Sequence, residues 1–197
     1  MRILVATRED VLVIDPSSGA VERTDAEERP TCLAVDPSRP NRVWCGTEAG
    51  VLQSDDGGAT WSAAGLGDEN ITAIAASPSE RVASGVVVYA GTEPSAVWRS
   101  AGEDGQTVPE VSLPRWERAE GLLELPSSST WSFPPRPDTH HVRWIACDPE
   151  RPGRLYVAIE AGALVTTPDG GATWQDRPRV APFDTHELAI HPERPAM

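Results

Sequence analysis

The sequence predicts an all-β protein assembled from a repeated unit of four antiparallel strands, and three observations predict it. The octapeptide Ser-Asp-Asp-Gly-Gly-Ala-Thr-Trp, from Ser54 to Trp61, returns as Thr-Pro-Asp-Gly-Gly-Ala-Thr-Trp from Thr167 to Trp174, in the same register 113 residues on. An apolar run that closes on a turn proline occurs four times, ending at Pro37, Pro78, Pro149 and Pro192, with spacings of 41, 71 and 43 residues. Nineteen prolines and sixteen glycines punctuate short β-rich runs, and no long stretch carries helical spacing. A period near 42 residues is about the length of a four-stranded propeller blade, so the spacing of 71 marks one blade with an insertion of roughly 29 residues.

The elements follow in order. Aligning the prolines places Ala34, Ala75, Ala146 and Ala189 in one column, where a small side chain suits an innermost strand crowded near an axis. A second strand ending near Gly follows at 42–47, 86–92 and 154–159, and a third starts at Gly50, Ser95 or Gly162 and runs into the octapeptide. In the middle copy the third strand, Val97 to Ser100, meets a worn version of that turn at Glu103-Asp104-Gly105, with Trp116 arriving late. The first segment fits the same grammar without its innermost strand: Ile3 to Thr7, Val11 to Asp15 and Val21 to Thr24 are its second, third and outermost strands. One domain over 1–197 results, with blades at about 1–25, 31–65, 71–119 and 142–178, the start of a further strand at 186–191, and an insertion loop at 120–141. Two closures are open: a four-blade ring in which Glu187 to His191 completes the first blade, or an open arc of a larger propeller. The turn Pro192-Glu193-Arg194-Pro195 repeats Pro149-Glu150-Arg151-Pro152, which favours the arc.

In each octapeptide an Asp (Asp56, Asp169) can fold back onto backbone N–H groups, and a Gly pair supplies the positive φ of a tight turn. The pattern Ser54, Asp56, Gly58, Thr60, Trp61 and its second copy Thr167, Asp169, Gly171, Thr173, Trp174 resembles the Asp-box, or BNR repeat, of sialidases, sortilin-type receptors, xyloglucanases and photosystem assembly factors. The resemblance implies a β-propeller whose boxes are structural and whose ligands sit on the opposite face, near the channel. It implies no activity by itself, since function resides in a site and not in a fold.

On that opposite face most connections are short, and the one between the third and fourth blades is long. Its stretch Thr130 to His141 offers stacking faces and hydrogen-bond donors on a proline-stiffened loop. It leads into Arg143, which stands where the earlier blades carry Thr31 and Thr72. Trp131, Arg136, His140, His141 and Arg143 are therefore the candidate ligand-binding residues. A purely structural reading has Trp131 and Phe133 plugging the loop onto the blade while the histidines cap a strand. Adjacent His140 and His141 on a strand point to opposite sides and have no companion at ligand spacing, so no metal is expected, and no cofactor motif is present.

The enzyme alternative implied by the resemblance is a glycoside hydrolase or lyase. A sialidase would need an arginine triad and a tyrosine nucleophile aided by a glutamate. The two tyrosines, Tyr89 and Tyr156, sit at equivalent points in apolar strands, and the opening arginine motif has no counterpart because Arg2-Ile3 is followed by Leu4. A two-carboxylate mechanism has Asp138 and Glu160 on the correct face, with nothing else to single them out. A binding or scaffold role for a small polar ligand, a glycan or a protein partner is the preferred reading.

The net charge of −13 arises from 30 acidic and 17 basic side chains, all the latter arginine. Such a surface repels phosphate backbones, which argues against nucleic acid as a partner. Met1 to Thr7 reads as a strand and not as a secretory leader, and no run approaches a membrane span, so a cytoplasmic chain without a membrane partner is expected. Cys32, Cys45 and Cys147 lie in apolar strands without metal or redox spacing. Buried thiols are expected, although Cys32 and Cys45 in one hairpin would allow a disulfide.

Overall fold

Short apolar runs bounded by Gly, Pro and Asp become fourteen strands in the computed structural model, which describes residues 1–26, 28–82, 85–101, 114–178 and 180–191. They form four antiparallel sheets in chain order. The first holds β1 (Ile3–Ala6), β2 (Val11–Asp15) and β3 (Ala20–Thr24). The second holds β4 (Pro30–Asp36), β5 (Arg39–Thr47), β6 (Gly50–Ser54) and β7 (Ser62–Ala63). β8 (Asn70–Val82), β9 (Gly85–Glu93), β10 (Val97–Ala101) and β11 (Arg115–Arg118) make the third. The fourth has β12 (Val142–Cys147), β13 (Leu155–Ile159) and β14 (Ala163–Thr167), with a single bridge from Thr166 to Gln175 in the outermost position.

The sheets stack like blades, and three apolar clusters fill the junctions between neighbours. Cys45 turns back to meet Leu4, Val11 and Trp61, whereas its neighbour Trp44 points forward to Ile71 and Val88. A strand buried on both faces must be apolar at successive positions, which is why Val43-Trp44-Cys45 and Val86 to Ala90 read as continuous runs instead of alternating ones. The third junction, the largest, gathers Tyr89, Val97, Leu122, Trp131, Val142 and Leu155. Innermost strands pack in sequence, β4 on β8 and β8 on β12, and no contact of comparable extent joins the first sheet to the fourth among the described residues. The blades are thus an open series.

All three junctions are pinned at the periphery, and the second and third also near the axis. Near the axis, the Thr31 hydroxyl donates to the Ile71 carbonyl at 2.5 Å and the Thr72 hydroxyl donates to that of Val142 at 2.7 Å. At the periphery a tryptophan indole N–H reaches back to the end of the preceding outermost strand: Trp61 to Thr24 Oγ1 (3.3 Å), Trp116 to the Ala64 carbonyl (2.8 Å) and Trp174 to the Glu120 carbonyl (2.9 Å). Trp116 keeps this role although its turn is degenerate. The worn turn at Glu103-Asp104-Gly105 and the turn Pro192 to Pro195 lie outside the described residues.

The two octapeptide turns have matching geometry. Asp56 Oδ1 accepts from Ala59 N–H, Thr60 N–H and the Ser54 hydroxyl, and Oδ2 from the Thr60 hydroxyl at 2.6 Å. Asp169 is bonded likewise by Thr173 and Thr167. These donors, the Thr60 hydroxyl first, hold the Asp56 carboxyl down at about 2. Gly58 and Gly171, at φ 92° and 96°, take a backbone conformation that a side chain would strain.

One alternative falls away and two expectations need correction. Cys32 and Cys45 are free: Cys32 pairs in register with Gly46 and Cys45 with Leu33, so the two thiols occupy opposite faces of the sheet. Tyr89 does not have wholly apolar surroundings, because its hydroxyl donates to Glu80 Oε2 at 2.8 Å and accepts from Arg99 Nε at 3.3 Å. Residues 186–191 form no strand. They lie against β12, where Trp144 Nε1 donates to the Leu188 carbonyl at 3.0 Å, and no strand among the described residues pairs with them. No helix among the described residues is long and apolar enough to cross a membrane.

Candidate ligand site on the face opposite the octapeptide turns

The turns from second to third strand share one face with the segments leading into β4, β8 and β12. In three blades that turn carries a glutamate: Glu48 and Glu160 directly follow β5 and β13, Glu93 is the last residue of β9, and Arg8 stands at the equivalent place after β1. Each glutamate has a cationic or imidazole neighbour. Glu48 is 3.0 Å from Arg29, Glu93 is 2.7 Å from Arg136, and Glu160 Oε2 is 3.1 Å from His141 Nε2 and 3.4 Å from Arg143 Nε. Beside the first pair an open cleft of about 550 Å³ is lined by Thr7, Arg8, Arg29, Thr31 and Glu48.

The long connection shapes the densest part of this face. Two short 3-10 turns, Leu122–Glu124 and Ser128–Thr130, carry the chain inward. Phe133 N–H then donates to the Thr139 carbonyl and Arg136 N–H to that of Phe133, folding 133–139 into a compact loop. Its Phe133 ring takes the Arg136 guanidinium at 5.1 Å on its face and meets the His141 ring edgewise at 4.8 Å. Arg136 in turn reaches Glu93, whose side chain is only 7% exposed.

His141 lies at the middle of this cluster, in contact with Phe133 and Glu160. Its side chain is 9% exposed, Nε2 faces Glu160, and Nδ1 is buried with no hydrogen-bond partner. Burial lowers its pKa, against the pull of Glu160 and Glu93, so the ring is neutral at pH 7. With its proton directed at the carboxylate, Nδ1 presents a lone pair. His140 is shifted down too, first by burial and then by His141, and its Nδ1 is equally without a partner.

Of the residues singled out from sequence, Arg136, His141 and Arg143 converge here and His140 borders them, stacked edgewise on Trp131 at 5.7 Å. Trp131 is 5% exposed and offers no stacking face: it packs beneath the loop in the third junction, and its indole N–H donates to Ser127 Oγ at 3.0 Å. Asp138 is exposed. Glu93 escaped the sequence reading, although the recurring Thr-Glu of Thr47-Glu48 and Thr92-Glu93 was a signal for it. No group of three His, Cys, Asp or Glu among the described residues is placed to hold a metal ion.

The two histidines make the molecule acid-sensitive. Their folded pKa values lie below the unfolded value of about 6.5, so the unfolded chain binds more protons and stability falls as pH drops below that value. The thermal midpoint is expected to decline between pH 7 and 5.5. In a His140→Gln, His141→Gln variant the decline should flatten, and an equally steep decline would show that other groups cause it.

No family model matches the chain, and no curated protein matches it. Solved structures do align. An ancestral GH74 enzyme matches at a TM-score of 0.61 with 15% identity, over 89% of this chain and 22% of that one. YCF48 from Cyanidioschyzon merolae matches at 0.49 with 14% identity, over 89% of this chain and 42% of that one, and YCF48 bound to D1 peptide at 0.48 with 18% identity, over 92% and 43%. The chain spans less than half the length of each. At such identities the likeness to the GH74 enzyme shows the fold alone, and the fold is a β-propeller.

Proposed function

We propose that this chain is an Asp-box propeller acting as a binding module, with its ligand on the face that carries Glu93, Arg136, His140, His141, Arg143 and Glu160. One observation carries the reading: a buried imidazole with Nε2 turned to Glu160 leaves its Nδ1 without a hydrogen-bond partner beside a half-exposed arginine. A buried polar atom without a partner is costly, and a ligand N–H or O–H relieves that cost. Arg143 supplies the complementary donors, so the site fits a small polar ligand with an adjacent donor and acceptor, as in the vicinal hydroxyls of a glycan. Within this cluster the carboxylates Glu93 and Glu160 are engaged by Arg136 and by His141 with Arg143, an arrangement that supports holding a ligand over hydrolysing one.

The test is a titration of 15N-histidine-labelled protein with cello-oligosaccharides, xylo-oligosaccharides and uronate oligomers, followed at His141 Nδ1. A saturable shift is expected from at least one probe, and Arg143→Ala should weaken that binding by about tenfold or more, equivalent to ~1.4 kcal/mol. Turnover of a probe, abolished by Glu160→Gln with binding retained, would replace the module reading by catalysis. No shift with any probe would remove the glycan as ligand.

A further inference from the structure

The turns from second to third strand in the third and fourth blades share one register: Gly91 lies opposite Val97 as Ala158 lies opposite Leu164, which aligns Ser95 with Gly162. The third blade thus carries a hydroxyl where the fourth has none. The turn does not need it, because Thr92 Oγ1 accepts from Ala96 N–H at 3.1 Å and donates to the Pro94 carbonyl at 2.6 Å. Ser95 is 0% exposed, and its Oγ has no hydrogen-bond partner. A buried hydroxyl left unpaired is costly, and an incoming polar group relieves that cost.

Ser95 lines a hollow of about 140 Å³ where the long connection leaves the third blade. Arg118, Glu120 and Glu124 supply its charges, and Ala96 and Leu122 add apolar wall. A second hollow of about 400 Å³ adjoins it, sharing Arg118, Ala119 and Glu120 and continuing to Glu80, Glu117 and Asp169 of the octapeptide turn. Both blades hold these walls in place. Ala119 N–H donates to the Val97 carbonyl at 2.8 Å, the Trp174 indole to that of Glu120 at 2.9 Å, and Glu124 N–H to that of Gly121 at 3.1 Å. The two hollows share no residue with the cluster around His141.

The charges of the smaller hollow are unspent. The side chains of Arg118, Glu120 and Glu124 have no ion-pair or hydrogen-bond partner among the described residues, although opposite signs line one small space. In the larger hollow Arg99 engages Glu80 at 3.2 Å and Arg115 engages Glu117 at 3.1 Å. Asp169 stays ionised there, since the Thr173 hydroxyl and the other donors of its turn lower its pKa.

We infer that the two hollows form one binding site for a basic amino acid of the arginine or lysine type. The α-carboxylate pairs with Arg118, and the α-ammonium lies between Glu120 and Glu124 and donates to Ser95 Oγ. The cationic side chain runs into the larger hollow toward Asp169. A ligand of a single sign would bring a like charge against part of the smaller hollow, whereas a zwitterion answers both signs with charge-assisted hydrogen bonds. The net charge of −13 favours the approach of a cation.

Amide 15N spectra of the full chain, titrated with L-arginine, L-lysine, L-norleucine and agmatine, test the site. L-Arginine or L-lysine is expected to shift the amides of Ser95 and 119–124 saturably at millimolar concentration or below. Norleucine lacks the side-chain charge and agmatine the carboxylate, so each should bind about tenfold or more weakly. Arg118→Gln should weaken L-arginine by a similar factor and leave agmatine as it was. Ser95→Gly, which installs the residue of the fourth blade, should weaken L-arginine too, while Arg143→Ala, in the other cluster, should not. No saturable shift with either basic amino acid, or agmatine and norleucine binding as tightly as they do, would overturn the proposal. So would an affinity for L-arginine that Arg118→Gln leaves unchanged.

Discussion

Trp131→Ala is expected to lower the stability of the fold by about 3–5 kcal/mol, the range for truncating a large buried aromatic side chain. The indole lies in the third junction with Leu122, Leu125, Val142 and Ile159, under the loop that forms the candidate site. Its removal leaves a cavity and strips Ser127 Oγ of a donor, while Ser127 still donates to Asp176 at 2.6 Å. Urea unfolding measures the loss as a shift of the midpoint with little change in slope. Arg143→Ala, whose side chain is 46% exposed, should leave that midpoint within about 0.5 kcal/mol of the original. Equal effects of the two changes would contradict the division between a buried Trp131 and a solvent-facing Arg143.

Gly91→Ala should cost about 1–3 kcal/mol, as overpacking of a filled core does. A Cβ at Gly91 would stand 2.4 Å from Val142 Cγ1 and 2.6 Å from Val142 Cβ, so the third and fourth blades would have to separate. The cost arises at the junction and not from the backbone angle, which makes it testable by a double-mutant cycle. Combined with Val142→Ala, the two losses should sum to less than their separate values, with a coupling of roughly 0.5–3 kcal/mol. Strict additivity would mean that the two blades already have room to adjust.

Much of the fold was legible because it is written in local pattern. The Leu-Ala-Val-Asp-Pro type of run identifies β4, β8 and β12. The octapeptides identify two turns whose hydrogen bonds join residues no more than four apart. Trp116 was visible as the displaced partner of a worn turn, and the structure gives it the same indole contact as Trp61 and Trp174. The candidate site was legible only in outline. Arg136, His141 and Arg143 stand out by their place before and in an innermost strand. Glu93 is 43 residues from Arg136, and only the juxtaposition of two blades pairs them.

Sequence alone determined the strand order, the turn chemistry and the repeat, since each depends on alternation, proline and glycine within a few residues. Tertiary structure decided burial and partnership. It sank Trp131 into a junction, placed Glu80 and Arg99 on the Tyr89 hydroxyl, and turned Cys32 and Cys45 to opposite faces. It also left residues 186–191 without strand pairing despite their sequence, because a strand is made by a second backbone offering donors and acceptors, and no local pattern supplies one.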